Sequence, residues 1–161
     1  MYRKITKSKR GMQMKISNKG LELIKEFEGF SANAYLCPAK IPTIGYGNTF
    51  WQDGRKVRLG EQISKTKALE LLEFVANKDF ANKIFPLIKV EVNQNQFDAM
   101  TSLAYNIGVG AFSSSTLLRK VNAKDFTGAG NEFLKWDKAG GKPLSGLTRR
   151  RQREKELFLR A

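Results

Sequence analysis

Phe27-Glu28-Gly29-Phe30, followed by Thr43-Ile44-Gly45-Tyr46-Gly47-Asn48-Thr49, is the stretch of this chain that decides its fold. The first part closes a run of apolar residues at helical spacing, and its glycine is a typical helix stop. The second part lies among prolines and glycines that interrupt helices, and among aromatic and β-branched residues that favour strands. The stretch therefore marks the point where a helix gives way to a small antiparallel sheet, which we expect over residues 31–62.

The helix before this point is predicted to start at Asn18 as its N-cap and to end at Gly29. Leu21, Ile24 and Glu28 fall at positions i, i+3 and i+7 and share one face. Glu28 thus ends an apolar face at a helix C-terminus, where desolvation and the helix dipole both favour a protonated carboxyl group. A general acid needs such a proton. The alternative is a glutamate that ends its helix and points to water.

The small sheet is predicted from strand-forming residues and from a hairpin turn signal at Asp53-Gly54. The strand-forming residues are Tyr35, Ile44, Tyr46 and Val57. From Ser64 the helical period returns, and we expect one long helix that links two lobes. The apolar stripe expected on this helix comprises Leu69, Leu72, Val75, Ala76 and Phe80.

Helices dominate the remainder of the chain. Asn93 and Gln96 form a capping-box pattern, and the apolar period that follows it ends at Gly108. Shorter helices are expected near residues 113–122 and 128–136, and a last helix from a Ser145 cap to about Leu159. The fold class is therefore α+β and mostly helical, with a small sheet-containing N-terminal lobe and a larger helical C-terminal lobe.

Composition excludes several classes of enzyme. The chain of 161 residues has no histidine and one cysteine. Zinc amidases, Cys-His peptidases and Ser-His-Asp hydrolases are excluded because each needs histidine. A single cysteine allows no disulfide within the chain and no Cys-rich metal site. We expect no cofactor and no metal. Carboxylates, hydroxyls, amides, lysines, arginines and one thiol remain available for catalysis, and an acid near a polar pair suits the cleavage of a glycosidic bond.

The net charge of +14 predicts an acidic partner, such as nucleic acid or a bacterial envelope. Residues 1–13 are rich in lysine and arginine and are interpreted as a mobile basic arm, with one catalytic domain over residues 14–161. No apolar segment of the signal-peptide type follows this arm. We therefore expect synthesis in the cytoplasm without a signal peptide.

The spacing of three residues carries a resemblance to a known family. Glu28 and Cys37 are separated by eight residues, and Cys37 and Thr43 by five. This pattern resembles that of phage-type lysozymes, the endolysins of glycoside hydrolase family 24, which have Glu, then Asp or Cys, then Thr at these spacings. The family's Thr-Ile-Gly-Tyr-Gly-His-Thr motif is similar to residues 43–49, with Asn48 in place of histidine.

Further motifs match in order from about residue 16 to residue 159. They are Gln96 with Ala99, Ser102-Leu103-Ala104-Tyr105-Asn106-Ile107-Gly108, Gly110-Ala111-Phe112, Ser115-Thr116-Leu117-Leu118-Arg119-Lys120, Trp136, Ala139-Gly140-Gly141, Gly146-Leu147, and Arg150-Arg151 with Glu154, Leu157 and Phe158. Because so many motifs fall at fitting spacings, chance similarity is a poor explanation.

The resemblance implies a lysozyme that hydrolyses the β-1,4 bond between N-acetylmuramic acid and N-acetylglucosamine in peptidoglycan. Glu28 would protonate the leaving oxygen, and Thr43 would place the attacking water or order residue 37. Cys37 stands where many members have aspartate, and it could serve as a thiolate base, as a nucleophile or as a polar wall. The alternative for Cys37 is a small buried hydrophobic residue. Tyr46, Tyr105 and Asn106 could line the sugar groove or belong to the core.

Arg150 and Arg151, near the end of the chain, need acidic partners if they are buried. Leu147, Arg151, Glu154 and Phe158 share a helical face, so charged groups lie on an apolar stripe. An arginine on this stripe could reach Glu28 across the cleft and hold its orientation, as the resemblance also suggests. A local pair between Arg151 and Glu154, or a solvated basic face, is an equal alternative.

The leading hypothesis is a phage muramidase, a monomer without an obligate protein partner, that lyses the host after release through a holin-like pore into the periplasm. Its partners would be peptidoglycan and, through the basic arm and last helix, anionic envelope lipids or lipopolysaccharide. Two other classes compete with it. One is a basic nucleic-acid-binding protein, and the other is a catalytically decayed relative that disrupts membranes.

Overall fold

The computed structural model describes residues 13–160, which form two lobes joined by a helical connection. The predicted fold class, mostly helical α+β, is confirmed. The basic arm predicted at residues 1–13 lies outside the described residues except for its last position. The α-helices of the described chain are α1 Asn18–Glu28, α2 Lys65–Val75, α3 Asn82–Ile84, α4 Gln94–Ile107, α5 Val109–Ser113, α6 Thr116–Asn122, α7 Phe126–Glu132 and α8 Ser145–Leu159.

Helix α1 ends at Gly29, as predicted, and this glycine has a φ of 72°. Its N-cap is Ser17, so the assignment of Asn18 as the cap is wrong by one residue. Ser17 does not cap the helix with its side chain. Its backbone N–H donates to Asp98 Oδ1 over 2.9 Å, and its hydroxyl donates to Asp98 Oδ2. The helix start is therefore tied to a buried carboxylate of α4.

The small lobe contains strand β1 (Ser31–Leu36), which pairs antiparallel with β2 (Pro42–Gly45). The sheet is narrower than predicted, since Tyr46 and Val57 lie outside the strands. The reason is a tight turn directly after β2, closed by a bridge between Ile44 and Asn48. The predicted Asp53-Gly54 turn is present, and an isolated antiparallel bridge between Phe50 and Lys56 flanks it. A second short hairpin, β3 (Lys138–Ala139) with β4 (Lys142–Pro143), lies before α8.

The connection between the lobes begins at α2, whose N-cap Ser64 accepts a hydrogen bond from the backbone of Lys67. Its buried face runs through Ala68 and Leu72 and continues to Ala76, the first residue of the next segment. Leu69, expected on this face, is 37% exposed because it is rotated by about 100° from Ala68.

A π-helical segment, Ala76–Ala81, continues α2 and leads through α3 to a 3-10 turn at Phe85–Leu87. Residues before this segment pack into the core of the small lobe, as Leu72 does. Residues after it, such as Ile84, pack into the core of the large lobe. The connecting helix thus serves two separate cores.

Helix α4 forms the centre of the large lobe. It begins with the predicted capping box, in which Asn93 and Gln96 each bond to the backbone of the other, and it ends at Gly108. Helix α8 ends at Leu159 as predicted, but Leu144 is its N-cap, so the prediction that Ser145 caps it is wrong. Within residues 13–160, no helix combines the length and the apolar character needed to cross a membrane.

A short segment before α1 ties the two lobes together. Met14 belongs to the large core, while Ile16 belongs to the small one. The backbone N–H of Ile16 donates to Asn77 Oδ1 over 3.0 Å, and Gln94 Nε2 donates to the carbonyl of Lys15 over 2.8 Å. Through these contacts, residues 14–17 link the π-helical segment to α4.

Gly20 lies where α1 packs closely against Asp98 and the segment of residues 14–17, which we call the anchor. A Cβ at Gly20 would lie 2.6 Å from Ile16 Cγ1 and 2.9 Å from Asp98 Cγ, whereas one at Gly110 would meet nothing within 4 Å. We expect Gly20→Ala to lower the free energy of unfolding by about 1–3 kcal/mol in urea denaturation. Gly110→Ala should leave it unchanged or raise it by up to ~1 kcal/mol. Equal effects of the two variants would contradict this account of the anchor.

Candidate active site

Glu28 lies at the C-terminal end of α1, and its side chain is 22% exposed. Its Oε2 accepts a hydrogen bond from Arg150 Nη1 at 2.9 Å, and the two groups form an ion pair between α1 and α8. Its other oxygen, Oε1, lies against Gly47, where an added Cβ would come within 2.8 Å. The carboxyl group is therefore held on one side by a cation and on the other by a glycine.

Gly47 belongs to the turn that follows β2 and has a φ of 85°, a conformation that favours glycine. Backbone hydrogen bonds of 2.8 and 2.9 Å between Ile44 and Asn48 close this turn. Asn48 is buried, and its Nδ2 donates to the hydroxyl of Tyr105 over 3.3 Å. Asn48, at the family's usual histidine position, thus joins the turn to α4.

Tyr105 connects Glu28 electrostatically to the same turn. Its hydroxyl donates to the carbonyl of Tyr46 over 3.2 Å. Burial, and after it the negative charge of Glu28, raises the pKa of Tyr105, so its hydroxyl keeps its proton. Both tyrosines pack in or against the small-lobe core, which favours the core alternative for Tyr46 and Tyr105.

Cys37 follows directly on β1 and is partly exposed, so the interpretation as a buried hydrophobic residue is wrong. A tight loop surrounds it: its N–H donates to the carbonyl of Ile41 over 3.1 Å, and the N–H of Lys40 donates to the carbonyl of Cys37 over 2.7 Å. Hydrogen bonding from the backbone of Ile41 chiefly lowers the pKa of the Cys37 thiol. Partial desolvation opposes it, and the backbone of Ala39 and the Thr43 hydroxyl add to it.

Thr43 lies opposite Tyr35 in the β1–β2 register and is buried. Its hydroxyl donates to the carbonyl of Ile41 over 2.8 Å. The same hydroxyl helps to lower the pKa of Cys37, so these two predicted site residues are neighbours. Thr43 and Gly47 stand four positions apart, at most roughly 14 Å along an extended chain. One short segment therefore links the thiol to the carboxyl group of Glu28.

The two predicted arginines both contact Glu154, but only one of them also contacts Glu28. Arg150 is the one that reaches Glu28. Arg151, fully buried, forms the local pair instead, with its Nε 2.7 Å from Glu154 Oε1. Both alternatives drawn from the sequence are thus present together. The apolar stripe correctly predicts that Arg151 is buried. The side of α8 that faces α1, however, carries Arg150.

A cavity of about 390 Å³ opens beside Glu28. Asn106, Leu147 and Arg149 are among its lining residues, and the guanidinium of Arg149 lies 5.2 Å from the ring centre of Phe27. The volume falls within the usual range for a ligand site, and the charged lining consists of two arginines, Arg149 and Arg150, and two glutamates, Glu26 and Glu28. Within residues 13–160, no group of three or more acidic, cysteine or histidine side chains is arranged to hold a metal ion.

Three residues of the site region make contacts that the sequence does not predict. Gly47 lies within a motif, but its contact with Glu28 depends on a turn that spacing does not show. Ser102 is buried and donates to Glu154 Oε2 over 2.6 Å. For Glu154 the sequence predicts the local pair with Arg151, which is present, but not the contacts with Arg150 and Ser102. The signal for both was their polarity at positions where the helical period requires burial.

Comparison with known proteins places these features in a family. The family model described as phage lysozyme matches residues 25–154. The endolysin of Salmonella phage P22 is 44% identical over 149 residues, which cover 91% of this chain and 99% of that one. The endolysin of Bacillus phage B103 is 47% identical over 148 residues. That match covers 91% of this chain but 54% of the relative, so the chain spans about half the length of that protein.

Solved structures agree with the sequence matches. A crystal structure of a P22 lysozyme mutant superposes with a TM-score of 0.83 at 44% identity, covering 91% of this chain and 99% of that one. The muramidase domain of SpmX from Asticaccaulis excentricus gives a TM-score of 0.84 at 37% identity, with 92% and 100% covered. These findings give no support to a nucleic-acid-binding protein or to a decayed, membrane-disrupting relative.

The contact of Gly47 with Glu28 can be separated from backbone strain. Gly47 and Gly54 have similar φ values, 85° and 89°, but a Cβ at Gly54 would meet nothing within 4 Å. We expect both alanine variants to lose about 1–2 kcal/mol of stability. Only Gly47→Ala should also slow the clearing of a peptidoglycan suspension, by about tenfold or more, because it displaces the carboxyl group. Equal clearing rates would contradict a role for this contact.

The lowered pKa of Cys37 predicts its reactivity with iodoacetamide. Because the folded chain favours the thiolate, alkylation should reach half its limiting rate at a lower pH in the folded chain than in urea. Thr43→Val removes one of the contributing groups, so its midpoint should move towards that of the unfolded chain. The chain has one cysteine, so mass spectrometry reports this site alone. Coincident midpoints for folded and unfolded chains would contradict the assignment.

Proposed function

Since this chain belongs to the phage lysozyme family, we propose that it is an N-acetylmuramidase that acts as an endolysin. Its reaction would be hydrolysis of the β-1,4 bond between N-acetylmuramic acid and N-acetylglucosamine. Residues 14–161 would form the catalytic domain. The observation that carries the proposal is a carboxyl group, Glu28, held between Arg150 and Gly47 in the lining of a cavity. The muramidase domain among the structural neighbours supports the same bond specificity.

In the proposed reaction, Glu28 is the general acid. It gives its proton to the glycosidic oxygen, which leaves as the 4-hydroxyl of N-acetylglucosamine. The bond from C1 of muramic acid to that oxygen breaks, and the oxygen of water bonds to C1. Arg150 holds Glu28 Oε2 at 2.9 Å, so Oε1 is the oxygen left to face the substrate. The product carries a reducing-end muramic acid.

Cys37 is proposed as the base that takes the proton from the attacking water. Its lowered pKa favours the thiolate that this role needs, and Thr43 supports that form. A thiolate could instead attack C1 directly, which would give a covalent intermediate and retention of configuration. An Asp at this position, as many members of the family have, would serve as a base in the same place.

The net positive charge of the chain indicates the cellular surface on which it would act. With a net charge of +14, the chain is suited to an anionic envelope, and we propose that the last helix and residues 1–13 bind its lipids or lipopolysaccharide. The protein would act on the wall from the periplasm. Holin-dependent release remains a prediction, because relatives such as that of Enterobacteria phage P21 are named SAR-endolysins.

Glu28→Gln should abolish clearing of a peptidoglycan suspension while the circular dichroism spectrum stays unchanged, because the amide has no acidic proton to give. Glu22→Gln is the matched control, since Glu22 lies on the same helix, points to solvent and pairs with Lys25 over 3.2 Å. It should clear at the normal rate. Substantial clearing by Glu28→Gln would overturn the assignment of the acid.

Mass spectrometry of the digest identifies the bond that is cut. Reducing-end muramic acid supports a muramidase. Anhydro-muramic acid would indicate a lytic transglycosylase, and reducing-end glucosamine would indicate a glucosaminidase. Either product would contradict the proposal.

The role of residue 37 is tested by two variants. Cys37→Ala should lose about a hundredfold or more in rate, and Cys37→Asp should retain activity. A folded but inactive Cys37→Asp variant would favour the thiol as nucleophile.

A further inference from the structure

Glu154 is a fully buried carboxylate at the centre of a network behind Glu28. Its Oε2 accepts hydrogen bonds from Ser102 Oγ at 2.6 Å, from Arg150 Nε at 3.2 Å and from Arg151 Nη2 at 3.1 Å. Its Oε1 lies 2.7 Å from Arg151 Nε. Two guanidinium groups and one hydroxyl thus converge on a single carboxylate inside the large lobe.

Arg150 carries the connection from this network to Glu28. Its side chain is only 4% exposed, and each of its nitrogens has a different partner. Nη1 donates to Glu28, Nε to Glu154, and Nη2 to the carbonyl of Ser102 over 3.4 Å. Since a guanidinium is planar and rigid, fixing Nε and Nη2 determines where Nη1 points.

We propose that Glu154, itself fixed by Ser102 and Arg151, is a positioning residue for the general acid. It holds Arg150 from behind in the orientation that presents Nη1 to Glu28. This inference rests on the proposed function of Glu28 and extends it to a residue that never touches substrate. Arg151 is anchored at its far end, where Nη1 donates to the carbonyl of Trp136 over 3.3 Å.

Charge balance gives Glu154 a second effect on the same acid. Burial raises the pKa of Glu154, and two guanidinium groups at 2.7–3.2 Å oppose this effect and favour the carboxylate. The network then holds two cations and, counting Glu28, two carboxylates. When Glu28 takes up a proton for the reaction, Glu154 remains as the counter-charge of the buried arginines.

Other charged or titratable groups face the network from each element packed around it. Helix α8 contributes Arg149 at the cavity wall, α4 contributes Tyr105, and Asp137 acts on Arg151 from the segment before β3. On α1, Glu26 pairs with Arg153 at 2.6 Å on the surface. These groups are unchanged when Glu154 alone is neutralised, so a change in pH dependence can be assigned to it.

The test compares Glu154→Gln with Glu132→Gln on soluble peptidoglycan fragments. Glu132 is the matched control because it is also a buried carboxylate with two cationic partners, Lys120 at 3.1 Å and Lys135 at 3.0 Å. Glu154→Gln should lower kcat about tenfold with little change in KM. The alkaline limb of its kcat profile should move to lower pH, because the two arginines then share one carboxylate and the excess positive charge favours the ionised form of Glu28. Glu132→Gln should keep the normal kcat and profile.

Several outcomes would overturn the inference. A normal kcat and pH profile for Glu154→Gln would do so, as would equal changes in Glu132→Gln. If Glu154→Gln does not fold, Ser102→Ala decides: we expect kcat to fall about three- to fivefold at constant KM, and an unchanged kcat contradicts the proposal. Substantial activity in Glu28→Gln would remove the proposed acid and the positioning role together. An inactive Glu28→Gln beside a normal Glu154→Gln overturns the positioning role alone.

Discussion

Glu28 and Arg150, 122 residues apart in the chain, form the contact on which the arrangement of the molecule depends. A guanidinium group taken out of water needs carboxylates and carbonyls around it, since an unpaired buried charge is very costly. Arg150 finds them where the end of α1, the middle of α4 and the middle of α8 converge. The requirement of one buried cation thus brings together the ends of the chain and the helix between them.

The small lobe is fitted around this contact from the other side. Helix α1 ends at Gly29, and the chain turns at once into the hairpin that carries Cys37 and Thr43. The turn after that hairpin returns to α1 and presses Gly47 against Glu28. Because α1 is tied to Asp98 at its start and to Arg150 at its end, the hairpin meets a carboxyl group whose position is already determined.

Much of the architecture follows from local chemistry that the sequence displays. The capping box of Asn93 and Gln96, the stop at Gly29 and the Asp53-Gly54 turn depend on neighbouring residues, and all three are found. Features that depend on distant partners could not be predicted. Asn18 has a side chain suited to an N-cap, but the N-cap lies one residue earlier, at Ser17. That position depends on Asp98 of another helix, which accepts hydrogen bonds from the backbone N–H and the hydroxyl of Ser17.

The same division holds at the candidate site. Spacing and resemblance bring Glu28, Cys37 and Thr43 into consideration, since all lie within a short stretch. The choice between Arg150 and Arg151 depends on the exact rotation of α8 against α1, which a helical stripe defines only to about one residue. The sequence shows Glu154 as a charged residue on an apolar helical face, but it does not show that Ser102 of α4 is its partner.

The π-helical segment Ala76–Ala81 has a consequence for how the connecting helix can change in length. Each i→i+5 hydrogen bond encloses one more residue than an α-helical one, so the segment turns the apolar face of the helix between Leu72 in one core and Ile84 in the other. A π-helical turn holds one more residue over nearly the same rotation, so a single-residue deletion that restores an unbroken α-helix here would leave the flanking faces nearly in phase. The segment can therefore absorb a change of one residue in length, which in a regular α-helix would rotate one core against the other by about 100°.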